Sequence, residues 1–241
     1  MIAKNLIVLL GTGKYKEFCK GTIATLGRVC PGETKALMLI SDDNDWGWKE
    51  PIKFEDGVFP VVFYHKIRQE SREGMLMHKP KFVYEALGRF KPEDFEKIMY
   101  VDSSFRFFKG ITDEDFKPAK ITVFKHFLWD RRDEEFRKNL HNQNKDSITY
   151  IPYEERTMYV HAGIFFGYVN EMHELLRDTC KLIATEEVNG TVPTWHDESA
   201  FNWLYWKAPE RFNVMRGMGD YDAPWRTNGI ENSILSFVDN H

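Results

Sequence analysis

The chain has 241 residues, 42% of them hydrophobic and 29% charged, with a formal net charge of -4. That length supports one sizeable core, and the mild acidity argues against nucleic acid as a partner, because phosphate binding calls for a basic face. The apolar run at 6–10 is too brief for a membrane span or a signal-peptide core.

Three cysteines, Cys19, Cys30 and Cys180, lack metal-type spacing and read as free thiols in a reducing compartment. A cytoplasmic protein without a membrane anchor is therefore expected. Aromatic residues make up 15% of the chain, a content that suits contacts with carbohydrate, although core packing accounts for most of it.

In chain order, residues 6–10 read as a buried strand, followed by the turn Gly11-Thr12-Gly13 and a helix over 15–26. Residues 36–40 predict a second strand ending on Ser41-Asp42-Asp43. The stretch 45–57, with Trp46, Trp48 and Pro51, reads as a loop, and a short strand follows at 61–64. Apolar residues at Phe82, Val83, Leu87 and Phe90 predict a helix over 79–90 with Pro80 in its first turn. Strands are expected at 98–101, closing on Asp102, and at 121–124. The polar and basic stretch 130–144 reads as mobile or solvent-facing.

A strand over 164–168 leads into a helix capped by Asn170 and ending near Glu187, and Asn189-Gly190-Thr191 reads as a turn. A final helix starts near Glu198, capped by Asp197 or Ser199. From 217 onward periodicity is weak, and 217–241 reads as a flexible tail that orders over a ligand. Strands alternating with helices predict an α/β sandwich: one Rossmann-like domain over 1–241, with a mostly parallel twisted sheet flanked by helices.

Ligands of such sheets bind at the carboxyl ends of the strands. One cluster there is Gly11-Thr12-Gly13-Lys14-Tyr15, where glycines let the backbone approach a nucleotide and Tyr15 offers a ring for the base. The plainer reading is a tight turn. A second is Tyr100-Val101-Asp102-Ser103-Ser104, in which Asp102 suits a divalent cation held against a diphosphate, or simply caps a turn. A third is His161-Ala162-Gly163, small residues against which a sugar can lie, beside a histidine able to bond a hydroxyl.

The run Trp195-His196-Asp197-Glu198-Ser199 stands out most. Glu198 at a helix N-terminus stays ionised, and a carboxylate beside an aromatic ring suits an oxocarbenium-like centre on a sugar. An acidic helix cap beside a core tryptophan is the alternative.

Trp195-His196-Asp197-Glu198-Ser199, with Asn202 three positions on, resembles the signature of glycosyltransferase family 6, which includes the histo-blood-group transferases and α-1,3-galactosyltransferases. Tyr159-Val160-His161-Ala162-Gly163-Ile164-Phe165 is similar to the family's donor-sugar segment, and residues 11–15 to its uridine-contacting turn. Tyr150-Ile151-Pro152 and Asp220-Tyr221 fall in the same order. The resemblance implies a GT-A fold and transfer of galactose or N-acetylgalactosamine, with retention, from a UDP-sugar to the 3-hydroxyl of a galactoside.

It also implies Glu198 as the catalytic carboxylate and Asp197 as a holder of the donor sugar. Gly11, Thr12, Gly13, Tyr15, Asp102, Ser104, His161, Ala162 and Gly163 fall on the donor side, and His126, Trp195 and Asp220 on the acceptor side. His161 leans toward galactose, while the small Gly163 leaves room for an N-acetyl group. Lys81 is the best-placed cation of Lys79-Pro80-Lys81 for the donor, with Lys14 and Arg226 as further candidates. Asp102-Ser103-Ser104 keeps half of the family's Asp-x-Asp, so Mn²⁺ or Mg²⁺ would rest on Asp102 alone. Two alternatives remain: a catalytically idle nucleotide-sugar-binding protein, and an inverting GT-A transferase.

Overall fold

The computed structural model describes residues 1–43, 46, 52–54, 57–59, 61–68, 70–103, 105–130, 133–216 and 235–237. Its strands are β1 (Asn5–Leu10), β2 (Lys35–Ser41), β3 (Lys53–Phe54), β4 (Gly57–Val58), β5 (Val61–Lys66), β6 (Lys97–Asp102), β7 (Phe105–Phe107), β8 (Ile121–Lys125), β9 (Val160–Tyr168), β10 (Phe212–Met215) and β11 (Leu235–Phe237). The helices are α1 (Tyr15–Ala24), α2 (Arg72–Leu87), α3 (Glu134–Asn139), α4 (Val169–Asn189) and α5 (His196–Lys207).

Seven strands form one sheet in the order β10-β8-β9-β6-β1-β2-β5. All neighbours are parallel except β9, which runs against both β6 and β8. Apolar residues alternate between two layers, as the two-residue strand period requires. Leu6 and Val8 of β1 pack with Met38, Ile98, Phe82 and Leu176 under α2, α4 and α5. Ile7 and Leu9 join Leu39, Met99 and Ile23 under α1 and β7 on the other face. Buried on both faces, the central strands read as unbroken apolar runs. The sheet is thus α/β and mostly parallel, as expected.

The reversed β9 matters most for the site. Because it opposes its neighbours, its first residues, Val160 to Gly163, lie at the edge where β1, β6 and β8 end. Leu10 pairs with Asp102 across β1 and β6, while Phe124 of β8 pairs with His161. A bulge between Val123 and Phe124 interrupts the ladder where 162–164 pass, so these residues need not keep a strict register.

Several expectations are corrected. Helix α2 begins at Arg72, seven residues before the expected start, because Ser71 caps it by accepting a hydrogen bond from Gly74 N at 3.1 Å. Pro80 therefore lies inside the helix rather than in its first turn. The missing N–H costs one helical bond, and burial of Phe82, Val83, Ala86 and Leu87 carries the helix through it. Helix α4 is capped by Tyr168, not Asn170. It ends on Gly190, which adopts the left-handed φ of 66° that glycine tolerates, so Asn189-Gly190-Thr191 is a helix end.

The segment 130–144 is not simply solvent-facing: Asp133 caps α3, and His141 and Asn142 are buried. Strand β9 starts four residues earlier than expected, and β7 and β10 were not foreseen. Within the expected tail, residues 235–237 pair with β7, and the remainder of 217–241 lies outside the described residues. Trp48 and Pro51 lie outside them as well. Among the described residues, no helix is long and apolar enough to cross a membrane.

Helices α2 and α4 are linked by His78. Its Nδ1 lies 2.6 Å from Glu70 Oε2 and its Nε2 2.6 Å from Glu187 Oε1. Burial pulls the imidazole down, but the two carboxylates outweigh it and leave His78 above its ordinary range. A raised folded value means that the native state binds the extra proton, so the stabilisation is complete below the unfolded value, about 6.5. It is lost as pH rises through the folded value. The melting temperature of the wild type should exceed that of His78→Gln at pH 6, with the gap closing as pH increases. Thermal denaturation across a pH series checks this, and a gap that widens toward high pH would refute it.

Candidate functional site

At the carboxyl edge of the sheet, charge is concentrated around one ammonium. Lys79 projects from α2 with 7% exposure, its Nζ 2.9 Å from Asp197 Oδ2 and 3.5 Å from Asp102 Oδ2. Burial opposes a charged lysine, yet Asp102 and Asp197 together hold it above its usual value. Burial pushes the Asp197 carboxyl up to about 7 against the pull of Lys79. Tyr100 donates its hydroxyl to Asp102 Oδ1 at 2.5 Å, fixing the carboxylate's plane.

Lys79 is in phase with Phe82, Val83 and Ala86, the buried stripe of α2, whereas Lys81 is off that stripe and exposed. The sequence reading favoured Lys81; the geometry puts Lys79 at the cluster. A lysine in register with an apolar stripe is the signal that marks it.

Glu198 stands in the first turn of α5 and keeps 20% of its side chain exposed, while the neighbouring Asp197 keeps 5%. Its Oε2 accepts the Ala162 N–H at 3.2 Å, and the buried Tyr159 hydroxyl bonds the same carboxylate. Asn202, one helical turn on, locks α5 to β9. Its Oδ1 accepts Val160 N at 2.8 Å, and its Nδ2 donates to Val160 O and Glu198 O, each at 2.9 Å. The side-chain amide thus mimics a strand partner and ties the carboxylate to the start of β9. The expected cap is corrected: neither Asp197 nor Ser199 caps α5 from outside. Trp195 occupies the cap position, and Ser199 Oγ reaches back to accept its N–H at 3.1 Å. His196 takes a left-handed φ of 50°, a conformation that costs a non-glycine residue about 1–3 kcal/mol and is held only by its surroundings.

His161 and His126 stack with ring centroids 5.2 Å apart, and burial lowers each to about 4, so both are neutral near pH 7. His161 Nδ1 accepts Gly163 N at 2.7 Å and His126 Nδ1 accepts Leu128 N at 3.2 Å, leaving the proton of each on Nε2. Gly163 fits tightly. A Cβ there would meet Asp102 Oδ2 at 2.6 Å and His161 Cε1 at 2.6 Å, so the space beside it is taken by these groups. That filled space replaces the open one inferred from glycine's size.

Across β1, Gly11 bonds Ile40 O, and a Cβ on it would strike Cys19 Sγ at 2.7 Å, so α1 rests directly on the turn. Gly13 has φ 50°, and Thr12 O accepts Tyr15 N at 3.0 Å to start the helix. Tyr15 is 37% exposed, with Lys14 Nζ 5.7 Å from its ring centre. Trp195 is 47% exposed, an unusual degree for tryptophan. Ser104, Asp220, Tyr221 and Arg226 lie outside the described residues.

Divalent cations such as Mg²⁺ take about six oxygen ligands. Asp102 brings one carboxylate, already engaged by Tyr100 and facing Lys79. The described residues at this edge therefore do not form a divalent site of their own. A separate group, Cys30, Glu33 and Asp113, brings three ligand atoms within 4.8 Å of one another. It sits at the opposite edge, where the Lys97 ammonium at the start of β6 already pairs with Asp113 and lies 3.7 Å from Glu33.

The sequence profile of glycosyltransferase family 6 matches residues 58–226, which include Lys79, Asp102, β9 and the Trp195–Glu198 run. The chain belongs to glycosyltransferase family 6. The α/β sheet just described is consistent with the GT-A type. Over 125 residues it is also 30% identical to histo-blood group ABO system transferase 2 of Rattus norvegicus, a match covering 51% of this chain. It spans only 36% of that relative's length.

Removing the Lys79 ammonium leaves buried Asp197 without its counter-charge. Lys79→Met should lower unfolding stability by about 3–5 kcal/mol, while Lys79→Arg retains most of it. Urea unfolding checks this; a Lys79→Met protein as stable as the wild type would remove the ion pair from the site's framework.

Proposed function

We propose that this chain is a retaining glycosyltransferase that moves galactose or N-acetylgalactosamine from a UDP-sugar to the 3-hydroxyl of a galactoside, forming an α-1,3 linkage. One domain would serve both donor and acceptor. The observation that carries the reading is the shared placement of Glu198 and Asp102: Glu198 bonds Ala162 N, and Asp102 abuts the next residue, Gly163. A sugar laid along 161–163 would then have a carboxylate at one end and the Asp102–Lys79 pair at the other.

Charge develops at both ends of the breaking bond, positive at the anomeric carbon and negative on the departing diphosphate. Glu198, partly open to solvent and held by Ala162 and Tyr159, meets the carbon as nucleophile or as a stabiliser of the oxocarbenium ion. Asp197, buried against Lys79, is suited to accept hydrogen bonds from the donor's hydroxyls. His161, neutral and donating from Nε2, faces the same sugar. The turn at 11–13, with Tyr15 exposed beside it, would take the uridine. Trp195 offers an open ring on which an apolar sugar face stacks, and His126, stacked on His161, would meet the acceptor. Asp220 and Ser104 would complete the acceptor and diphosphate ends. Mn²⁺ or Mg²⁺ at Asp102 would need donor oxygens for the rest of its shell.

Glu198→Gln keeps the acceptor atom for Ala162 N but loses the charge. Transfer from UDP-galactose and UDP-N-acetylgalactosamine should fall at least about a hundredfold, with UDP affinity nearly unchanged. Product formation by mass spectrometry, in Mn²⁺ and in EDTA, with the anomeric configuration read by NMR, is the measurement. Near-normal turnover in the variant takes Glu198 out of the chemistry. An inverted product assigns the chain other chemistry, and tight UDP binding without any release favours an idle binding protein.

A further inference from the structure

One buried polar network lies outside the groups used above, and it reaches the site through a single residue. Glu186, in the last turns of α4, is fully buried, and among the described residues its carboxylate is met by hydroxyls and an amide rather than by a cation. Ser147 Oγ donates to its Oε1 at 2.5 Å, Thr149 N and Oγ1 each at 3.1 Å, and Thr191 Oγ1 donates to Oε2. Asn142, 2% exposed, is built onto this base: its Nδ2 donates to Ser147 Oγ at 2.7 Å and to Thr149 Oγ1 at 3.0 Å. Its Oδ1 then points the other way and accepts Thr194 N, Thr194 Oγ1 and Asn144 N, each at 3.0 Å. Arg156 NH2 holds the Asn142 carbonyl at 3.0 Å, and Gln143 N donates to Thr194 Oγ1 at 2.9 Å.

Thr194 directly precedes Trp195 and the left-handed His196. From His196 onward α5 is fixed independently, by Asp197 on Lys79 and by Asn202 on β9. Before it, Asn142 and Gln143 hold Thr194, and Ser199 Oγ accepts the Trp195 N–H at 3.1 Å, so the direction of Trp195 is set between Thr194 and α5. A strained residue persists only where both flanks are fixed, and here the two anchors are Asn142 and the α5 framework.

We propose that Asn142 is a positioning residue for the acceptor end of the site: seated on the buried Glu186 carboxylate, it grips Thr194 and so sets the angle at which Trp195 leaves the protein. The role assigned to Trp195 rests on the transferase reading given above; the grip on Thr194 does not. Because Glu198 is held separately by Ala162 and Asn202, loosening Thr194 affects acceptor recognition and spares the chemical step.

Thr194 is an exposed residue, so its variants remove the outer bonds to Asn142 Oδ1 and Gln143 N and leave the Glu186–Ser147–Thr149 base untouched. Thr194→Val removes the hydroxyl while preserving shape, and Thr194→Ser restores it. Thr194→Val should raise the acceptor KM about tenfold, the factor equivalent to one hydrogen bond of ~1.4 kcal/mol, with kcat and the donor KM within about twofold. Thr194→Ser should return the acceptor KM to the wild-type value. In parallel, the Trp195 indole N–H resonance, assigned through Trp195→Phe, should move in Thr194→Val and return in Thr194→Ser. An unchanged acceptor KM, or a loss of kcat that the serine does not rescue, overturns the proposal. If the wild-type protein transfers no sugar, the transferase reading fails by itself. The indole resonance then decides the grip: a shift in the valine variant sustains it and an unmoved resonance overturns it.

Discussion

The buried ammonium of Lys79 between Asp102 and Asp197 is the contact on which the rest of the carboxyl edge depends. It brings together α2, the end of β6 and the start of α5, three segments far apart in the chain. Three carboxylates converge there, Asp102, Asp197 and Glu198, and such a concentration of negative charge is not tolerated away from water without a cation. With Lys79 spent on Asp197 and Asp102, Glu198 is left to backbone and hydroxyl donors, and of the adjacent pair Asp197 and Glu198 it is the one that stays partly open to solvent. The division of labour between the adjacent acidic residues follows from which of them the lysine reaches.

The reversed strand β9 is the second constraint. In a wholly parallel sheet, every strand would present its last residue at the cleft. Here β9 contributes its first residues, so a histidine, an alanine and a glycine enter beside the terminal Asp102 of β6 and the residue following β8. The neutral, stacked pair of His126 and His161 is a direct product of that arrangement, since one ring comes from a strand's end and the other from a strand's beginning.

Much of this is legible in the sequence. Apolar runs such as Leu6-Ile7-Val8-Leu9 marked the central strands because both their faces are covered, and the Trp195–Ser199 run stood out as chemistry. What stayed hidden depended on partners distant in sequence. Lys81 reads as the better placed of the two lysines, and only the stripe Phe82, Val83, Ala86 reveals that 79 faces inward. Asn142 lies in a polar, basic stretch that reads as solvent-facing; its partner Thr194 is 52 residues away. Capping of α5 was misread because Ser199 acts backward onto Trp195, a direction that composition does not encode.

The crowding around Gly163 has a consequence for how this protein can diverge. A methyl group there meets the Asp102 carboxylate and the His161 ring at once. Asp102 cannot yield without releasing Tyr100 and Lys79, so the histidine is the side that can give way. Positions 161 and 163 should therefore change as a pair among descendants of this sequence, with bulk gained at one matched by bulk surrendered at the other.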